Sequence, residues 1–125
     1  MEIAPGIHLI PGTVGTRPLQ LFLLLGSERR VLLDTGCAPD PERLIVPYLA
    51  TLGLKPGDIH LVINSHSDLD HCGGNAAWHR LSPRSLLTCG EADRALIEDP
   101  RVLYARRYNG YAAEHGLSYI PATRD

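Results

Sequence analysis

The sequence predicts an α/β fold in which helices cover a mostly β layer, and three observations lead to it. Short β-branched and aliphatic runs recur at residues 7–10, 19–25, 30–34, 59–63 and 85–88, each the length of a strand. Two stretches of helical periodicity, 41–53 and 75–81, lie between the later runs. The resulting β-α-β-loop-α-β order is that of a layered α/β domain. At 125 residues, 44% of them hydrophobic, the chain suits one domain with an ordinary core and is too short for two.

Each element has its own signals. Residues 7–10 form a short strand ending at Pro11-Gly12. The run 19–25 stops at Gly26-Ser27-Glu28 and resumes at Arg30, so these two strands form a hairpin around Gly26 and the opening of the chain is antiparallel. Pro39-Asp40-Pro41-Glu42 offers an N-cap followed by proline at the first helical position. Leu44, Ile45, Tyr48, Leu49 and Leu52 then share one helical face until Gly53. Strand 59–63 follows, then a polar loop, a short helix over 75–81 and a strand at 85–88. Residues 90–98 and 100–115 read as helical, with Asn109-Gly110 interrupting the second. Residues 119–125 hold no complete element and read as a chain cut short.

Composition excludes several function classes. Twelve Lys and Arg against fourteen Asp and Glu give a net charge of −2 with no long block of either sign, which argues against a nucleic-acid or membrane-surface binder. Arg101, Arg106 and Arg107 read as a solvated helix face. Cys37, Cys72 and Cys89 make no CxxC pair and are odd in number, so no disulfide framework is expected and a reducing, cytoplasmic setting fits. The N-terminus has no secretory pattern, and the run 19–25 is too short to span a bilayer.

The chemistry concentrates in Ser65-His66-Ser67-Asp68-Leu69-Asp70-His71-Cys72-Gly73-Gly74. Four potential metal ligands, His66, Asp68, Asp70 and His71, fall within six positions directly after a buried strand. Imidazole and carboxylate are the donors of catalytic zinc and related ions, and a catalytic site keeps one position open for water. Binding lowers the pKa of that water toward roughly 7, which makes hydrolysis at neutral pH the natural outcome. Asp70 and His71 point in different directions from an irregular loop, so one loop can serve two metal positions. Gly73-Gly74 lets the backbone pass closely and begin the next helix.

This loop resembles the signature of the metallo-β-lactamase superfamily, His-x-His-x-Asp-His followed by Gly-Gly, at His66, Asp70, His71 and Gly73-Gly74. Val31-Leu32-Leu33-Asp34-Thr35-Gly36 is similar to the superfamily's strand ending in Asp-Thr-Gly. The resemblance implies an αββα sandwich built from two similar halves, of which residues 1–125 are a single truncated domain holding the N-terminal half only, an antiparallel and mixed sheet with covering helices. It also implies a metal-dependent hydrolase acting on a small-molecule ester, thioester, lactone, β-lactam or phosphoester. In that reading Asp70 both ligates the metal and orients the nucleophile, while Asp34 braces the ligand loop from behind.

Two departures qualify the resemblance. Asp68 stands where the signature has its middle histidine, so the first metal position gains a carboxylate; zinc remains the first candidate, with Mn, Fe or Mg admitted by the harder oxygen. The further histidines and bridging aspartate of the second half have no counterpart, and His115 sits in Ala112-Ala113-Glu114-His115-Gly116, the context of a helix C-terminus. A sheet that normally faces a sister half exposes an apolar surface, so the chain is expected to form a homodimer through that face. The rival reading is a non-catalytic half-domain serving as a metal-binding or interaction module. His8, His60 and His79 read as structural, Cys37, Cys72 and Cys89 as buried thiols, and Trp78 with Leu81 as the anchor of the short helix.

Overall fold

The computed structural model describes residues 1–103 and 105. Its centre is a six-stranded sheet whose strands lie side by side in chain order: β1 (Glu2–Ala4), β2 (Ile7–Val14), β3 (Arg17–Leu25), β4 (Arg30–Leu33), β5 (Leu61–Asn64) and β6 (Leu86–Cys89). The first four are antiparallel and the last three run parallel. Parallel neighbours need crossovers, and helices supply them. A π-helical turn, Pro41–Ile45, runs into α1 (Val46–Thr51) between β4 and β5; α2 (Leu69–Cys72) and α3 (Asn75–Leu81) lie between β5 and β6. Two short helices, α4 (Arg94–Glu98) and α5 (Pro100–Leu103), follow β6. Of the predicted helix 100–115, all but Pro100–Leu103 and Ala105 lies outside the described residues, as does His115 with Arg106 and Arg107. None of the helices among the described residues is long and apolar enough to cross a membrane.

The strand 7–10 is longer than the sequence predicts, because Pro11-Gly12 does not stop it. Leu9 donates its N–H outward to Met1 O at 2.9 Å, so Pro11, two residues on, directs its missing N–H to the same outer side. Strand β1 does not reach that far, and proline on such an edge breaks no bond. The chain instead turns at Gly15-Thr16 with Val14 opposite Arg17. The hairpin around Gly26 is as expected, Leu25 pairing with Arg30. Pro41 opens its helix as predicted, but Asp40 is no cap: its own backbone is helical and its side chain makes no cap bond. The buried Asp40 carboxylate accepts Cys37 N–H at 2.8 Å and the Arg43 guanidinium at 2.9 Å.

The two faces of the sheet differ. Ile10, Leu19, Leu21, Leu23, Leu32 and Val62 are buried with Ile45, Leu49, Ile59 and Trp78 from the covering segments. Their burial is the main force holding the helices on the sheet. The opposite face carries two apolar rows in register across five strands. One is Ile7, Leu24, Val31, Leu61 and Leu86; the other is Leu9, Phe22, Leu33, Ile63 and then Thr88. No helix among the described residues lies over them, and Leu86 is 64% exposed.

Candidate metal centre

Strands β4 and β5 end side by side, and the site lies just beyond their C-terminal ends. Asp34 leaves β4 in the left-handed region, φ 65, which a residue with a Cβ seldom holds. Its buried carboxylate lies beneath the loop that leaves β5. Oδ1 accepts Ser65 N–H at 2.7 Å, Oδ2 accepts Ser65 Oγ–H at 2.7 Å, and His71 Nδ1 stands 2.8 Å from Oδ2. Burial by itself would raise the Asp34 carboxyl, but the bonds from His71 and Ser65 outweigh it and hold it below its ordinary value. His71 is pushed up, first by its bond to Asp34.

The loop's floor is tied down by backbone as well. His71 O accepts Thr35 N–H at 2.8 Å and Gly36 N–H at 3.2 Å, and Gly74 N–H donates to Gly36 O at 2.8 Å. Asn64 and Asn75, flanking the loop, exchange amide bonds of 3.2 and 2.7 Å, and Thr35 Oγ1 donates to Asn75 Oδ1 at 2.8 Å. Both glycines serve close approach rather than unusual torsions. A Cβ on Gly73 would strike Leu69 O, and one on Gly74 would strike Thr35 O and the Pro41 ring.

Asp70 and His71 sit on the single helical turn α2 rather than on an irregular loop. Cys72 N–H reaches back to Asp68 O at 2.9 Å and closes that turn. The four predicted ligands come together as two imidazole–carboxylate pairs. His66 Nε2 is 3.6 Å from Asp68 Oδ2, His71 Nε2 is 3.7 Å from Asp70 Oδ2, and the two imidazole rings are 4.0 Å apart. Two imidazoles and two carboxylates suit a divalent ion, and tying His71 Nδ1 to a carboxylate leaves Nε2 facing outward, the usual state of a ligating histidine. The donors nevertheless come in pairs. Among the described residues no three His, Cys, Asp or Glu side chains gather as a metal-holding group.

His8 is buried against the Tyr48 hydroxyl at 2.9 Å, His60 Nδ1 accepts Arg30 N–H at 3.1 Å, and His79 is exposed. Of the three cysteines expected to be buried thiols, Cys72 alone is buried, while Cys37 and Cys89 are half-buried. Cys72 donates to Ser67 O at 3.3 Å, and burial with the nearby Asp34 and Asp68 charges pushes its thiol up to about 12. Cys37, half-buried, is likewise pushed up to about 12, by burial and then by Asp40 and Asp70. Neither is a thiolate at neutral pH. Sequence reasoning assigned no role to Ser65, Thr35, Asn64 or Asn75. The available signal was placement, since asparagine ends an apolar strand and asparagine opens the helix after the glycines.

Comparison with known proteins agrees with this architecture. The sequence model of the metallo-beta-lactamase superfamily matches residues 16–124. An N-acyl homoserine lactonase of Bacillus cereus is 30% identical over 56% of this chain and 37% of its own length. A metallo-β-lactamase from Cronobacter sakazakii superposes with a TM-score of 0.70 at 22% identity, over 98% of this chain and 44% of that one. A subclass B3 metallo-β-lactamase from a soil metagenome library gives 0.62 at 23% identity, over 73% and 32%. This chain therefore spans less than half the length of each of these relatives. With the family match over most of its length and the same fold in solved relatives, the chain belongs to the metallo-beta-lactamase superfamily.

Proposed function

We propose that this chain carries the first half of the active site of a metal-dependent hydrolase, in which His66, Asp68, Asp70 and His71 hold the ion. The observation that carries the reading is the buried Asp34 carboxylate fixed against His71 Nδ1 at 2.8 Å, an arrangement that frees Nε2 to ligate. Zinc is the first candidate, with Mn or Fe admitted by the carboxylates. A divalent ion there supplies Lewis acidity and a water acidic enough to attack at neutral pH. Asp70, a third exposed, would help hold the ion and could orient a water beside it by accepting a hydrogen bond. The lactonase relative and the β-lactamase neighbours support a small cyclic ester or amide as substrate. Thioesters and phosphoesters come second.

Metal analysis of the purified chain beside a His66→Ala, His71→Ala double variant tests the reading. Bound Zn, Mn or Fe that disappears in the variant supports it. No metal in either supports the rival, a non-catalytic half-domain, which the lack of a three-donor group among the described residues favours. A ring-opening assay on an N-acyl homoserine lactone beside a β-lactam then separates the substrate classes. The two apolar rows support pairing of two copies face to face. Sedimentation should show a dimer that Leu24→Asp with Leu61→Asp dissociates, and a stable monomer of the parent chain would refute it. Three free cysteines support a cytoplasmic location.

A further inference from the structure

We infer that Ser65 is a positioning residue that carries the hold of Asp34 across to His66, so that one buried carboxylate sets the tautomer of both imidazoles. The argument is proton accounting around three short contacts. An ionised carboxylate only accepts, and a serine hydroxyl has one proton to give. Ser65 Oγ lies 2.7 Å from Asp34 Oδ2 and 2.8 Å from His66 Nδ1. Its proton goes to Asp34, because two lone pairs facing at that distance would repel. Oγ is then left as an acceptor toward His66, and Nδ1 must carry the hydrogen.

The same accounting at His71, whose Nδ1 faces Oδ2 directly at 2.8 Å, also places hydrogen on Nδ1. A neutral imidazole protonated at Nδ1 has its lone pair on Nε2. Both rings therefore present Nε2 toward the carboxylates of Asp68 and Asp70. His71 is held by the carboxylate itself, His66 through a hydroxyl and in a more exposed position, with 42% of its side chain accessible against 23%. Competition with water makes the His66 preference the weaker of the two.

Serine serves two functions that substitution can separate. Its backbone N–H bonds Oδ1 at 2.7 Å and survives any replacement but proline, so Ser65→Ala keeps the loop anchored and removes only the relay. The relay stands on the hydrogen bonds; only the purpose of the two free Nε2 atoms rests on the metallohydrolase reading.

Long-range proton–nitrogen correlation of the ¹⁵N-labelled, chelator-treated chain, taken at an alkaline pH where the nitrogen shifts themselves show both rings neutral, reads the tautomers directly. His66→Gln and His71→Gln assign the signals. In the parent both rings should be Nδ1–H. Ser65→Ala should move His66 toward the Nε2–H form that an unrestrained imidazole prefers and leave His71 unchanged, and Ser65→Thr should restore the parent pattern. His66 found as Nε2–H in the parent, or unmoved in Ser65→Ala, overturns the inference. Should Ser65→Ala not fold, Nδ1–H at His66 in both parent and Ser65→Thr supports it, and Nε2–H in either overturns it. Zinc titration adds the second arm, with binding roughly 10-fold weaker in Ser65→Ala and restored in Ser65→Thr. Tautomers as stated with no zinc bound to the parent would sink the metallohydrolase reading and leave the relay standing; zinc bound with His66 as Nε2–H would do the reverse.

Discussion

The floor and the open rim of the ligand loop are built differently. On the floor, Asp34, Thr35, Ser65, His71, Asn64 and Asn75 meet through hydrogen bonds mostly of 2.7–2.9 Å, most of them part-buried. On the rim, the imidazole Nε2 atoms of His66 and His71 stand 3.6 and 3.7 Å from the carboxylates of Asp68 and Asp70, and the side chains of His66, Asp68 and Asp70 are a quarter or more exposed. Buried polar groups must be satisfied by the chain itself, and the floor meets that requirement. The rim side chains are partly open to water, and of their polar atoms Asp68 Oδ1 is buried. The loop is therefore folded by its floor, and its donors are presented by a scaffold that does not depend on them.

Breaking the floor should cost stability first. Asp34→Ala strips an acceptor from three donors and puts alanine at φ 65, for a loss of about 3 kcal/mol in urea unfolding. Asp34→Asn, which tolerates that backbone and keeps the volume, should lose about half as much. If Asp34→Ala unfolds at the parent's urea midpoint, the floor does not organise the loop. Gly74→Ala comes next. Its Cβ would meet Thr35 O and lie 2.7 Å from the Pro41 ring, forcing the Asp-Thr-Gly turn and the helix start apart at about 2 kcal/mol. Gly53→Ala is the control: Gly53 also has positive φ but nothing within 4 Å of an added Cβ, so its cost is torsional strain alone and should be smaller.

The rim should respond in the opposite way. His66→Ala and Asp68→Ala are expected to change unfolding free energy by no more than about 0.5 kcal/mol while lowering zinc stoichiometry or affinity. A rim variant as destabilised as Asp34→Ala would erase the distinction between the two sides.

The same distinction explains what was legible in the sequence. Candidate metal donors declare themselves by residue type, so His66, Asp68, Asp70 and His71 could be singled out from one loop. The floor depends on register. Asp34 and His71 are 37 positions apart, and they meet because β4 and β5 run parallel with Leu33 beside Ile63, which no local pattern encodes. Ser65 and the two asparagines are ordinary polar residues until that pairing exists. In the fold, hydrophobic runs located five of the strands. They missed where β2 ends, because the outward direction of the Pro11 nitrogen follows from pairing rather than from composition. Asp40 read as a helix cap for the same reason, since its partner Cys37 N–H comes from a loop whose path the sequence does not state.

The smallest effect expected is a pH dependence of the metal-free chain, and its sign follows from the floor. Asp34 has a folded pKa below its ordinary 3.8, so the stability it contributes is present above 3.8 and is lost as pH falls through the folded value. His71 has a folded pKa above its ordinary 6.5, so its contribution is complete below 6.5 and is lost as pH rises through the folded value. Both are whole only between those limits. Thermal unfolding of the chelator-treated chain should therefore show an Asp34–His71 contribution that is flat from pH 3.8 to 6.5 and declines on either side. Asp34→Asn removes the carboxylate and weakens the pull on the imidazole, so the difference in midpoint between parent and variant isolates the pair from every other titrating group. A difference that grew steadily toward alkaline pH would mean that His71 is held as the neutral ring, and the floor would then be a hydrogen-bond network without an ion pair.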